Sequence, residues 1–290
     1  MRHAVRVWMV ATFLASALTS SLVAETGELR AYANPLTGLM KWADHTWVTN
    51  YPARPTCPQP AADYWYATGA CHPDGNDRDP RPLASTPANL DMARCIAKPN
   101  QSTFKPGPAT ARIVYAIDGV CHQICNRILS AGSYANGMLT TVKKARGYRV
   151  SRFAYGTYGT AAQWATLRAE CDVPQSIGIE QTTELHAMLL EANMSLSDEK
   201  IASVERERID LRAQIEQIGV RASEGQLAGR DVAYEVNAAV NDSLRRIEKA
   251  IGKRDFVRLF DWPAGQEIVL ADPDVSAHVE YSASTRTPLE

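Results

Sequence analysis

The feature that most constrains this chain is residues 111 to 129, where an apolar run, a turn and a helix that opens at a cysteine follow one another. Residues 113 to 117 are mostly β-branched or aromatic and predict a buried strand. Asp118-Gly119 predicts a turn and offers a carboxylate as helix N-cap. Cys121 then falls in the first helical turn, where unpaired N–H groups and the helix dipole favour a thiolate and could bind an oxyanion.

Composition and charge narrow the class of protein. The chain has 290 residues, of which 45% are hydrophobic and 22% charged, so it is globular and long enough for one large domain or two modest ones. A net charge of −1 gives no basic stripe, and we predict no nucleic-acid partner. Residues 1–24 combine a basic start with an apolar run and predict a cleavable signal peptide, hence a periplasmic or extracellular protein. No later segment is apolar enough to span a membrane.

Export makes disulfide bonds the expected use of most of the cysteines. The sequence leaves their pairing open. If Cys121 is a free thiol, an even count requires a second unpaired cysteine, and Cys125 is the obvious choice. A bond between these two is disfavoured because residues four apart on a helix rarely meet disulfide geometry. The six cysteines are Cys57, Cys71, Cys95, Cys121, Cys125 and Cys171.

The first half of the chain predicts strands separated by long loops. After a lead-in at 25–39, residues 40–50 alternate and predict a strand that carries His45. Residues 63–67 predict a second strand, and the remainder of 51–108, dense in proline and glycine, predicts an ordered loop pinned by cysteines. Residues 148–159 indicate a hairpin, and 161–170 a short helix.

Beyond residue 180, helix-forming residues dominate. Ser197 predicts the N-cap of a first helix, and a second opens near Asp231, so that 180–262 form an antiparallel helical hairpin. Its charged faces are typical of solvated surface, although they could also bind a protein partner. The hairpin loosely resembles small periplasmic stress or metal-resistance helical proteins. Residues 263–290 predict a short strand and a loose tail.

Two short motifs suggest nucleophilic cysteine chemistry, which needs a thiolate, an imidazole and a group that orients the imidazole. The motifs Asp44-His-Thr-Trp-Val48 and Asp118-Gly-Val-Cys-His-Gln123 resemble circularly permuted papain-like hydrolases of the NlpC/P60 and lecithin:retinol acyltransferase type, over about residues 40–175. In those enzymes the histidine strand precedes the cysteine helix. The resemblance implies Cys121 as nucleophile, with its own N–H in the oxyanion hole, and His45 as base. It makes His72 a candidate third residue, with Gln123 and Asp118 in support.

Structural roles compete with this interpretation. A cysteine at helical spacing from Ile124 and Ile128 is also typical of a small buried hydrophobe or half of a disulfide. His45 could equally be packed between tryptophans, and His72 and His122 are expected to be packed histidines. The spacing of Cys71-His72 and of Cys121-His122 fits no standard zinc module or haem attachment motif. The sequence therefore predicts no metal and no cofactor.

Together these patterns predict an α+β protein. A papain-like domain at about 30–178, with a small sheet packed on a central cysteine-bearing helix, is followed by the helical hairpin. The expected function is an exported thiol hydrolase or transferase acting on an amide bond, with cell-wall peptide as the expected substrate. The alternative is a non-catalytic envelope binding or stress-response protein with structural disulfides and a helical interaction module.

Overall fold

A computed structural model describes residues 25–34, 42–50, 64–65, 81–97, 113–134, 139–159, 161–173, 184–279 and 281. The predicted signal peptide, His72, Cys57 and Cys71 lie outside this part of the chain. Within it, the structure has the α+β class that the sequence predicts, with a small antiparallel sheet and several helices. None of the helices described is both long and apolar enough to cross a bilayer.

The sheet consists of four antiparallel strands: β1 (Thr26–Asn34), β2 (His45–Thr49), β3 (Tyr64–Trp65) and β4 (Arg81–Asn89), in the order β3-β2-β1-β4. The two predicted strands correspond to β2 and β3. The predictions of a lead-in and of an uninterrupted loop are wrong at β1 and β4. Two prolines lie in β4, which tolerates them because it lies at the edge of the sheet, where one row of N–H groups needs no strand partner.

The helices in the first half of the chain are α1 (Leu90–Ala97), α2 (Cys121–Ser133), α3 (Tyr148–Tyr155) and α4 (Ala161–Glu170). Helix α2 begins at Cys121 and α4 covers 161–170, both as predicted. The predicted hairpin at 148–159 is wrong, because α3 occupies most of it. Its buried Val150, Phe153 and Ala154 have helical spacing. Glycines with positive φ, Gly147 and Gly156, flank the helix.

Helix α2 is the centre of the first core, and all thirteen of its residues are buried. Its apolar side packs on the sheet, where Ile124, Cys125 and Ile128 join the same cluster as Leu29 and Val48. This packing confirms the predicted arrangement of a small sheet on a cysteine-bearing helix. A disulfide between Cys95 and Cys171 ties α1 to the end of α4.

The polar residues of α2 are buried without loss of hydrogen bonds, because the loops around α3 supply main-chain partners. Asn126 donates to the carbonyl of Thr157 at 2.8 Å and accepts from the N–H of Val142 at 2.9 Å. Arg127 donates through Nε to the carbonyl of Tyr158 at 2.6 Å. Burying such groups is tolerated only when they are paired, so these bonds fix the position of α2 in the core.

The second half of the chain is helical. Helix α5 (Glu184–Glu191) is followed by α6 (Asp198–Ser223), α7 (Gly229–Ile251), α8 (Lys253–Phe260) and α9 (Pro273–Ser276). Ser197 caps α6 as predicted, accepting from the N–H of Lys200. Helices α6 and α7 form the predicted hairpin and bury their apolar stripes together. Gly252, at φ 88°, separates α7 from α8, where the sequence predicted one continuous helix.

The predicted short strand takes a different form, and most of the predicted tail lies outside the described residues. Within residues 267–270, the β-type pairing described is one isolated parallel bridge between Val269 and Trp42. Helix α9 follows at once. Ile268, Leu270, Val275 and Val279 are buried in the same cluster as the α6/α7 hairpin. Residues 268–279 are therefore part of the core, and they return the C-terminal part of the chain to the region of β2 and α2.

Candidate active site

The segment before α2 is a compact turn. The N–H groups of Ile117 and Asp118 both donate to the carbonyl of Val114, at 3.1 and 2.9 Å, and that of Ala116 donates to Gly119 at 2.8 Å. Ala116 has φ 69°. The predicted strand at 113–117 is therefore wrong over residues 114–117, because the main chain there bonds to itself in a turn.

The start of α2 is held by Gln123. Val120 is the N-cap, and its N–H donates to Gln123 Oε1 at 3.1 Å. The Gln123 amide donates in turn to the carbonyl of Gly156 at 3.0 Å. Asp118, the N-cap that the sequence suggested, instead accepts from the N–H of Val114 at 3.1 Å. Asp118 thus closes the turn, and Gln123 joins the first turn of α2 to the end of α3.

We expect Gln123→Ala to lower the free energy of unfolding by about 1–3 kcal/mol, because it leaves a buried N–H at Val120 and a buried carbonyl at Gly156 without this partner. Urea denaturation at neutral pH would measure the change. Gln226→Ala, in the exposed loop between α6 and α7, is the matched control and should change stability by less than about 0.5 kcal/mol. An equal loss in both variants would contradict this role of Gln123.

Cys121 is a free thiol and is buried at the first position of α2. Its Sγ lies 3.6 Å from the main-chain carbonyl of Asp44, to which it donates. The other free thiol among the residues described is that of Cys125, one turn further along the helix. The sequence left the pairing open but named Cys125 as the second unpaired cysteine if Cys121 is free, and both thiols are free in the structure.

Burial controls the ionisation of Cys121. It raises the pKa of the thiol to about 11, although the main-chain N–H groups of Thr46 and His122 lower the pKa. The Thr46 hydroxyl, which has no hydrogen bond of good geometry to any residue described, also lowers this pKa and that of Cys125. In this conformation Cys121 is protonated at neutral pH. The donors that would stabilise its thiolate are nonetheless in place.

His45 and Cys121 line the same small cavity, of about 10 Å³, which is roughly the space of one water molecule. His45 is the first residue of β2 and is only 7% exposed. The tertiary structure therefore brings together the two residues that the sequence named first. Their use as nucleophile and base stays a prediction.

Two further segments of the chain also line this cavity. Tyr115 contributes from the turn before α2, and Val269, Leu270 and Asp272 contribute from the C-terminal segment. The Tyr115 hydroxyl accepts the N–H of Asp272 at 2.8 Å. The C-terminal segment thus covers the cavity.

His122 has a structural position in the core. Its Nε2 lies 3.1 Å from the carbonyl of Asp44, and its Nδ1 lies 2.8 Å from Ser151 Oγ. Burial lowers the pKa of His122 to about 3, so the ring is neutral. A carbonyl can only accept, which assigns the proton of the neutral ring to Nε2. His122 therefore links α2 to α3 and to the main chain beside β2.

Sequence reasoning missed Tyr115 and the C-terminal cover. Tyr115 sits in an apolar run that could be read only as a strand. Leu270 and Asp272 are about 150 residues from Cys121, and no local pattern connects them to it. The hydrogen bond from the Asp272 N–H to the Tyr115 hydroxyl is a tertiary contact without a sequence signal. His72 lies outside the described residues, so its proposed role stays a prediction.

Across the residues described, no cluster of three or more His, Cys, Asp or Glu side chains is arranged to hold a metal ion. Comparison with known proteins adds no further assignment, since no family model, no curated protein and no solved structure matches this chain.

Proposed function

We propose that this protein is a thiol hydrolase or transferase that acts on amide bonds, with Cys121 as nucleophile and His45 as general base. The observation that carries the proposal is the position of Cys121. It is a reduced cysteine at the first position of a buried helix, and it shares a small cavity with a histidine. Helix starts with converging N–H groups are where proteins activate thiolates.

In the proposed reaction His45 accepts the Cys121 proton, and the sulfur forms a bond to the substrate carbonyl carbon while the π electrons move to the oxygen. The N–H groups at the start of α2 are the donors for this oxyanion. Collapse of the intermediate breaks the C–N bond, and His45 returns the proton to the leaving amine. Water or an amine then attacks the thioester and releases Cys121.

The cavity holds about one water, so substrate can enter only after the C-terminal cover moves. Opening the cover would hydrate Cys121 and remove the main cause of its raised pKa, which is burial. For the substrate class we favour a peptide amide of the cell wall, which follows from the predicted export.

The test compares Cys121→Ala with Cys125→Ala, which removes a thiol on the same buried helix but outside the cavity with His45. Each purified full-length protein is incubated with cell-wall peptide fragments, and released amine and acyl-enzyme are measured by mass spectrometry. We expect Cys121→Ala to abolish product and acyl-enzyme, Cys125→Ala to retain both, and His45→Gln to slow turnover by about 10²-fold or more. Activity that survives Cys121→Ala would refute the proposal.

One observation favours the second candidate, a non-catalytic envelope protein with structural cysteines. Cys121 is only 4% exposed, and burial raises its pKa to about 11, as expected of a cysteine that only packs in the core. On this alternative none of the three variants has an amidase activity to lose. Cys121 would then resist iodoacetamide in the folded protein.

A further inference from the structure

The C-terminal segment at residues 268–271 runs along α7 and is held there by two asparagine side chains. Asn237 Oδ1 accepts the N–H groups of Leu270 and Ala271, at 2.8 and 2.9 Å, and its Nδ2 donates to the carbonyl of Ala271 at 2.7 Å. Asn241 Oδ1 accepts the N–H of Ile268 at 2.8 Å, and its Nδ2 donates to the carbonyl of the same residue at 2.9 Å.

The spacing of the two asparagines fits an extended chain. Asn237 and Asn241 are four residues apart on α7, which is a rise of about 6 Å. Two residues of extended chain span about 6.6 Å, and the groups bound by the two amides belong to residues 268 and 270–271. On the opposite side, the N–H of Ala43 donates to the carbonyl of Val269 at 3.0 Å.

All of these bonds join main-chain groups of the segment to α7 or to the chain before β2, so they would form with any extended peptide whose side chains fit. This is the way proteins bind peptides by adding a strand, where main-chain bonds give affinity and pockets give specificity. Here two side-chain amides provide most of the bonds that a neighbouring strand would otherwise provide.

The segment at residues 268–271 also separates an outer groove from the cavity of Cys121. On its outer side lies a groove of about 520 Å³, lined among others by Trp42, Tyr234, Arg245 and Val269. Trp42 and Val269 also line the Cys121 cavity on the inner side. Tyr234 is 57% exposed in the groove. Removing residues 268–271 would therefore join an open groove to the cavity of Cys121.

We propose that Asn237, Asn241 and the N–H of Ala43 form a binding site for an extended polypeptide main chain, and that residues 268–271 occupy this site as a built-in competitor that covers Cys121. The ligand class is a peptide in extended conformation. The inference does not depend on Cys121 being catalytic, because the thiol serves only as a reporter of the cover.

The first experiment measures iodoacetamide labelling of each cysteine in full-length Asn237→Ala/Asn241→Ala protein. We expect Cys121 to react at least about tenfold faster than in the unsubstituted chain, because the cover loses five hydrogen bonds. Cys125, one turn deeper and fully buried, should stay protected. Lys249→Ala, at an exposed position of α7, is the control and should leave both rates unchanged. Unchanged Cys121 labelling, or equal acceleration at Cys125, overturns the proposal.

The second experiment tests peptide binding. Leu270→Asp places a charge at a buried position of the cover and leaves both asparagines intact. A fluorescent synthetic peptide with the sequence of residues 266–274 should bind this full-length variant, as measured by anisotropy. It should not bind when Asn237→Ala and Asn241→Ala are added. Equal binding with and without the asparagines refutes the site. If Leu270→Asp does not fold, iodoacetamide will label Cys125 as fast as Cys121 in this variant. In that case the first experiment decides alone.

Discussion

His122→Gln should remove most of the loss of stability that the protein undergoes between about pH 6.5 and about pH 4.5. In the folded state burial lowers the pKa of His122 from 6.5 to about 3, and the charge of His45 acts in the same direction. Across this window the unfolded chain takes up a proton at His122 that the folded chain does not. Stability is therefore full above the unfolded pKa and falls by about 1.4 kcal/mol for each pH unit below it.

Over two pH units this single residue accounts for a loss of about 3 kcal/mol. Urea denaturation at about pH 6.5 and at about pH 4.5 gives the free energy of unfolding at each pH. The loss is measured as the difference between the unsubstituted chain and His122→Gln in the slope of this free energy against pH. Glutamine can still donate to the Asp44 carbonyl, so the variant should fold. His278→Gln, at an exposed histidine after α9, is the matched control and should keep the original slope. The neutral buried state of His122 would be disproved by a His122→Gln slope equal to that of the unsubstituted chain.

The second large effect is expected at the disulfide between Cys95 and Cys171. Replacing both by alanine should lower the free energy of unfolding by about 4 kcal/mol, because the bond closes a loop across a sequence separation of 76 residues and so restricts the unfolded chain. Urea denaturation measures the difference. The single variant Cys95→Ala should lose about as much as the double variant, since either change opens the same loop.

A loss below about 1 kcal/mol in both variants would show that this bond does not restrict the unfolded chain.

The bond also has a local consequence. It fixes α1, whose Ala93 and Ile96 lie in the same core cluster as α2. We therefore expect Cys121 and Cys125 to become more accessible to iodoacetamide together when the disulfide is removed, unlike the selective opening expected at the C-terminal cover.

Local sequence signals predicted some elements well and others not at all. Helix α2, the N-cap at Ser197 and the α6/α7 hairpin follow from helical spacing and capping, which depend on nearby residues. Strand β4 was missed because its prolines are typical of loops and are acceptable only at a sheet edge, which the sequence does not reveal. The turn at 113–119 was predicted as a strand because apolar residues alone do not specify a hydrogen-bond partner.

The residues of the candidate site divide in the same way, into those that local sequence signals reveal and those that only tertiary contacts reveal. Cys121 and His45 could be named from residue type and from their places on a helix and a strand. Tyr115 could not be named, because it lies in an apolar run that predicted only a buried strand. The proposed cover, residues 268–271, is held by Asn237 and Asn241, which look like ordinary polar positions on an amphipathic helix.

The sequence by itself determined the α+β class, the helix that begins at Cys121, and the choice of Cys121 and His45, because periodicity, caps and residue chemistry are local properties. Only the tertiary structure decided that Cys121 is reduced, that it shares a cavity with His45, and that this cavity has room for only about one water. The physical reason is that burial and cavity size arise from contacts between distant segments. The main-chain bonds of residues 268–271 to α7 depend on how the helices pack, and no local pattern encodes that packing.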